Sequence, residues 1–206
     1  MTRLFVPGWG APSGLYAVPA GWEVLEPPPF GVGATVEAQL HWLRARLDRL
    51  DGPVTLGGHS MGAALAVLAA RERPQRVARL VLVAPAGLPL TKPVATSVRD
   101  FFGQLAARMY PTRQALQALA AFAAAPRSAL RLAFAVRALD LERQLRSLRS
   151  LGIPVDVVGC TTDSLTSAAH CRRVAKLAGA RYRELDLPGG HMWMLRERAA
   201  FAAVLA

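Results

Sequence analysis

The run Val54-Thr55-Leu56-Gly57-Gly58-His59-Ser60-Met61-Gly62-Ala63-Ala64 sets a hydroxyl between two glycines, where an apolar stretch meets an alanine-rich one. Gly-x-Ser-x-Gly alone is a weak pattern, because both residue types are common. With a strand before it and a helix after it, the pattern describes a sharp turn that pushes the serine out above the edge of a sheet. Gly58 and Gly62 must then be small, because strand and helix pass close together. The helix beginning at Met61 aims its N-terminal N–H groups at the hydroxyl, where they can hold an oxyanion. A glycine-rich strand-to-helix loop can also cradle phosphate, but neither Gly-x-Gly-x-x-Gly nor a lysine-bearing phosphate loop is present.

A serine hydroxyl is a poor nucleophile without a base. Of the four histidines, His41 and His170 fall in helical patterns, and His59 adjoins the serine, where turn geometry points it away as a packing residue. His191 is different: in Leu187-Pro188-Gly189-Gly190-His191 it follows the last apolar run on a glycine-rich loop, suited to a base that reaches across to Ser60. The imidazole needs an orienting carboxylate. Asp163 follows a strand in Gly159-Cys160-Thr161-Thr162-Asp163 and is the first candidate, the alternative being a solvated turn aspartate. Asp156 lies in mid-strand, and Asp140 and Glu142 sit in a helical stretch that would require a less usual geometry.

These residues must be positioned by the elements around them. Leu4–Val6, Glu23–Leu25, Val54–Leu56, Leu80–Val83, Val155–Val158 and Tyr182–Leu187 read as strands, several of them continuous apolar runs buried on both faces. Thr35–Leu50, Met61–Arg73, Thr166–Leu177 and Met194–Leu205 read as helices. The alternation predicts an α/β fold with a mostly parallel sheet flanked by helices. It breaks once: Leu88–Leu151 holds no convincing strand, only Ala-, Leu- and Arg-rich helical text cut by prolines. The expectation is a core of residues 1–90 and 151–206, with residues 91–150 a short helical lid insertion over the crevice at the strands' carboxyl ends.

With 206 residues and 52% hydrophobic content, the chain suffices for one domain with a sizeable core, which excludes disorder as the main state. The longest uncharged stretches, Leu4–Trp22 and Gly52–Ala70, each carry four glycines and do not read as membrane spans. The first residues enter a strand directly, without a leader's apolar region, so a cytoplasmic location is expected. Two cysteines, Cys160 and Cys171, make neither a disulfide framework nor a metal site. The net charge is +11, with all but two of the 25 basic residues arginine. Ten of them fall within 91–150 against three acidic residues. No aromatic-interleaved basic motif accompanies them, so nucleic acid is not an expected partner.

The chain resembles the α/β-hydrolase fold family over nearly its whole length. The order Ser60, Asp163, His191 is that family's triad order, and Leu4-Phe5-Val6-Pro7-Gly8-Trp9-Gly10 looks like its first strand and oxyanion loop. The resemblance implies backbone N–H groups of Trp9 and Met61 as the oxyanion hole, although Pro7 stands where the family usually has histidine. It also implies a trimmed sheet lacking the first two strands, and no metal or organic cofactor. Arg79–Gly87 and His191-Met192-Trp193-Met194-Leu195 are similar to the small carboxylesterases, including methyl esterases of acyl-carrier-protein conjugates; Gly58–Ala63 is also similar to type II thioesterases.

The implied partner is a small-molecule ester or acyl conjugate, with an acidic acyl-carrier protein or a coenzyme A phosphate facing the basic lid. Trp9, Met61, Phe122, Phe134 and Trp193, with Phe101, Phe102, Met109 and Tyr110, are candidates to line an acyl pocket. A triad-bearing lyase or cofactor-free haloperoxidase, and a non-catalytic docking module, are the other readings of the same fold.

Overall fold

The computed structural model describes residues 1–90, 103 and 112–206, so part of the expected insertion, including Phe101, Phe102, Met109 and Tyr110, lies outside the described residues. Six strands form one sheet: β1 (Arg3–Val6), β2 (Trp22–Val24), β3 (Val54–His59), β4 (Val77–Val83), β5 (Val155–Cys160) and β6 (Arg181–Leu185). Their order is β2-β1-β3-β4-β5-β6 and every pairing is parallel.

The continuous apolar runs place alternate side chains on opposite faces. Leu4, Val6, Leu56, Leu80, Leu82 and Val157 point into one core cluster. There they meet α1 (Val36–Asp48), α2 (Met61–Glu72), α5 (Glu142–Leu148) and α6 (Ala168–Ala178). Phe5, Val81, Val83, Val158 and Cys160 point the other way, against α7 (Trp193–Arg196) and α8 (Arg198–Leu205). The result is three layers, as a parallel sheet buried on both faces requires.

The boundaries depart from the sequence expectation for local reasons. The expected helix from Thr166 starts at Ala168, because Ser167 caps it by accepting from the His170 N–H and Thr166 is engaged elsewhere. The expected single helix Met194–Leu205 is two, broken at Glu197 (φ −100°, ψ 60°). The break lets Trp193 and Phe201 enter the same core, ring centroids 6.1 Å apart. Between β4 and β5 lie α3 (Thr112–Ala124), α4 (Pro126–Arg137) and α5.

Sheet topology selects one place for a ligand. The chain steps from β1 outward to β2, then returns to the other side of β1 for β3 and continues away. At such a switch point the loops leaving the carboxyl ends diverge and open a crevice. Here it lies between β1 and β3, whose registered ends Val6 and Gly58 lead into Gly8-Trp9 and Ser60.

Candidate active site

Ser60 follows β3 and caps α2 with φ 54° and ψ −115°, a conformation costly for any residue with a Cβ. The surroundings impose it. The Ser60 N–H donates to the Val83 carbonyl at 3.0 Å, and the Ser60 carbonyl accepts from Ala63, Ala64 and Ala86 N–H groups at 3.1–3.2 Å. A Cβ on Gly58 would meet the Gly62 carbonyl carbon and oxygen at 2.5 Å, and one on Gly62 would meet the Val6 oxygen at 2.1 Å. Both glycines are therefore required by close backbone approach. The turn leaves Ser60 half-buried, and its hydroxyl makes no hydrogen bond among the described residues.

Asp163 follows β5 in a turn closed by its own N–H donating to the Cys160 carbonyl. Its Oδ1 accepts from Leu165 and Thr166 N–H at 2.8 and 3.0 Å, and its Oδ2 lies 2.8 Å from His191 Nδ1. Thr166 Oγ1 lies 2.9 Å from the same Oδ2 and 3.1 Å from the Ala84 carbonyl oxygen. Burial by itself would raise the Asp163 carboxyl; the His191 charge and the hydrogen bonds from His191, Thr166 and Leu165 outweigh it and hold it below the ordinary carboxylate value. An ionised carboxylate only accepts, so His191 Nδ1 carries a proton, and in the neutral ring Nε2 then holds the lone pair. His191 arrives on a 3₁₀ turn, Gly190–Met192, entered through two left-handed residues, Gly189 (φ 116°) and Gly190 (φ 59°).

The structure thus brings Asp163 and His191 into a hydrogen bond and sets Ser60 on the neighbouring elbow. The weaker carboxylates are engaged elsewhere: Asp156 pairs with Arg79 and Arg181, and Glu142 with Arg146 and Arg173. His41 is exposed on α1, and His170 binds the Pro85 carbonyl, its pKa lowered by burial.

Met61 opens α2, where the first N–H groups of a helix have no partner within it. Trp9 follows β1, its indole N–H donating to the Ala129 carbonyl of α4 at 3.0 Å and its ring packed against Phe30 and Phe122. A cavity of about 590 Å³ runs from Gly8 and Met61 beneath α3 and α4, lined also by Phe30, Arg113, Ala118 and Leu132. Of the expected pocket residues that are described, Met61 lines this cavity, whereas Trp9 and Phe122 pack against each other beside it and the other two are corrected outright. Trp193 is wholly buried against Phe201 in the core on the far face, and Phe134 is 51% exposed on the outer side of α4.

One expectation was too modest. His59 is not a bystander of the elbow: Nδ1 lies 2.9 Å from the Tyr16 hydroxyl and Nε2 lies 3.1 Å from the His191 carbonyl oxygen. Nothing in the sequence marked Tyr16 or Thr166. Among the described residues, no three His, Cys, Asp or Glu side chains are placed to hold a metal ion. No single described helix is long and apolar enough to cross a membrane.

The sequence model of the alpha/beta hydrolase family matches residues 4–204. The chain belongs to the alpha/beta hydrolase family. The elbow, the Asp163 turn and the His191 turn stand at the carboxyl edge of its six-stranded parallel sheet. Similar curated proteins match only locally. Lipase LipV of Mycobacterium tuberculosis is 46% identical over 59 residues, 28% of this chain and 23% of that protein. Homoserine O-acetyltransferase of Thermus thermophilus is 49% identical over 51 residues, 25% of this chain and 13% of that protein.

Solved structures are similar over the full length. An esterase from Exiguobacterium antarcticum is 18% identical, with a TM-score of 0.78 over 100% of this chain and 90% of that one. The enol-lactonase of Burkholderia xenovorans LB400 is 20% identical, with a TM-score of 0.75 over 99% of this chain and 89% of that one. At these identities the structural likeness is one of fold.

Proposed function

We propose that this alpha/beta hydrolase is a serine hydrolase that cleaves a carboxylic ester through an acyl-enzyme formed on Ser60. The observation that carries the reading is a strained serine at the N-terminus of α2, one sheet edge from a buried Asp163–His191 hydrogen bond. His191 Nε2 takes the Ser60 proton as Oγ attacks the ester carbonyl. The resulting oxyanion is held by the N–H groups of Trp9 and Met61. The carbonyl re-forms as the alkoxide leaves with the proton from His191. Water, deprotonated by His191, then attacks the acyl-enzyme and releases the acid and Ser60. The names of similar proteins, among them a lipase, an esterase and a lactonase, are consistent with acyl-oxygen chemistry.

The test is intact-mass detection of a fluorophosphonate adduct, with turnover of short p-nitrophenyl esters. Wild type is expected to gain one adduct. Ser60→Ala should gain none and lose at least about 10⁴-fold in kcat, and Asp163→Asn about 10²–10⁴-fold. An adduct that survives Ser60→Ala overturns the assignment.

A second substrate class is favoured by the lid. Between Asp100 and Asp140 the chain has no acidic residue but five arginines, of which Arg113, Arg127 and Arg131 are exposed on α3 and α4. That field suits an acyl thioester carried by an acidic carrier protein, hydrolysed by the same steps with a thiolate leaving.

A further inference from the structure

We infer that Tyr16 and His59 form a positioning relay that fixes the loop after β1 relative to the loop bearing His191. The inference rests on the catalytic reading above. The direction of every bond in the relay follows from groups with only one role. The Gly8 amide can only donate, and it does so to the Tyr16 oxygen at 3.0 Å. The His191 carbonyl can only accept, so the His59 nitrogen 3.1 Å away, Nε2, carries a proton. A neutral imidazole then leaves Nδ1 as an acceptor, and the Tyr16 hydroxyl, 2.9 Å off, donates to it. Burial first, and the neighbouring His191 second, push the His59 pKa down to about 3, so the ring stays neutral across the working range.

The chain of bonds runs Gly8 to Tyr16 to His59 to His191, through two side chains only 5% and 1% exposed. Water cannot take over a lost partner there, so each bond is costly to leave unmade. Space is closed as well: a Cβ on Gly8 would meet His59 Nδ1 at 2.8 Å, and the Tyr16 ring is held against Phe5 and Phe201. Pro7 has no N–H, so the Gly8 amide is the first after β1 able to anchor the loop. At one end the relay holds the residue before Trp9, whose N–H is the proposed oxyanion donor. At the other it holds the backbone of the proposed base, whose ring lies tilted against that of His59 with centroids 4.7 Å apart. Neither Tyr16 nor His59 touches the reacting atoms in this scheme. They set the distance between groups that do, and misplacement of about 1 Å can cost on the order of 10²-fold in rate.

The experiment replaces one oxygen atom. Tyr16→Phe keeps the ring packing and is expected to lower kcat about 10- to 100-fold on a p-nitrophenyl ester, with KM within about twofold. In parallel, ¹⁵N spectra of histidine-labelled protein are expected to read His59 as the Nε2–H tautomer from neutral to mildly acid pH. The His191 resonances should shift in Tyr16→Phe. His59→Gln, which keeps a donor able to reach the His191 carbonyl, should retain more activity than His59→Leu. His59 found as the Nδ1–H tautomer overturns the relay. So does Tyr16→Phe with wild-type kcat and an unmoved His191 spectrum, whatever its melting temperature, or equal losses in the two His59 variants. A wild-type protein without turnover or adduct instead defeats the catalytic reading, and the spectra still decide the relay.

Discussion

The carboxyl edge of the sheet and the helical pair α3–α4 bound the same crevice under opposite constraints. At the sheet edge His59, Asp163 and His191 are all buried, and each is bonded to segments distant in sequence. Nine of the twelve residues of α2 are buried, and its glycine touches backbone rather than side chains. Across the crevice, α4 buries Ala129, Leu132 and Val136, while Leu116, Leu119, Leu130 and Phe134 of the pair face outward beside exposed arginines. One region has its geometry dictated atom by atom; the other is held by a narrow apolar stripe and by scattered hydrogen bonds, among them the Trp9 indole to Ala129, Gln114 to the Gly14 carbonyl and the Leu90 N–H to the Arg137 carbonyl. The proposed chemistry, which needs sub-ångström placement, falls in the first, and the proposed substrate recognition in the second.

Gly62→Ala is the sharpest way to break that comparison. The new methyl would lie 2.1 Å from the Val6 oxygen and 2.5 Å from the Pro7 oxygen, both backbone atoms. Relief requires the β1 end to move, at a cost of about 3 kcal/mol. For a chain of this size that lowers Tm by roughly 6–12 °C in a thermal melt. A melt within about 2 °C of wild type would mean that the elbow tolerates displacement.

A smaller effect comes from acid. His59 titrates at about 3 in the folded protein against an ordinary value of 6.5, so between those values the unfolded chain binds the additional proton. Stability is therefore full above about 6.5 and declines as pH falls, by up to about 1.4 kcal/mol per unit. His170, lowered by burial, adds the same sign. Denaturant unfolding should lose about 2 kcal/mol between pH 7 and pH 5, and His59→Gln should remove most of that slope. An unchanged slope in the variant would place the acid sensitivity elsewhere.

The smallest stability effect is expected on α4. Arg127→Glu combined with Arg131→Glu changes two exposed side chains, so the melt should stay within about 2 °C of wild type. KM for a carrier-linked thioester should rise about fivefold or more while that for a neutral p-nitrophenyl ester holds, since charge at a rim acts on encounter. Equal changes for both substrates would remove the carrier protein from consideration.

The elbow and the strands were legible in the sequence because they are local facts. Gly58, Ser60 and Gly62 lie within one turn, and a run such as Leu80–Val83 carries its burial in its own composition. Helix ends were less legible: the start at Ala168 depends on Thr166 being drawn toward Asp163 and Ala84, which no window around Thr166 reveals. Trp193 and Phe134, among the expected pocket residues that do not line the cavity, show the same limit. An aromatic side chain suits a core or a pocket equally well, and only the packing of its element decides which.

The sequence alone determined a parallel α/β chain with a serine on a glycine-flanked turn, since backbone preference and apolar periodicity act over a few residues. The tertiary structure decided the partners. It took Asp156 into pairs with Arg79 and Arg181, brought Asp163 to His191 across 28 residues, and joined Tyr16 to His59 across 43. Those contacts follow from which strand ends lie side by side, and strand order is fixed by burying both faces of the sheet at once, a condition on the whole chain.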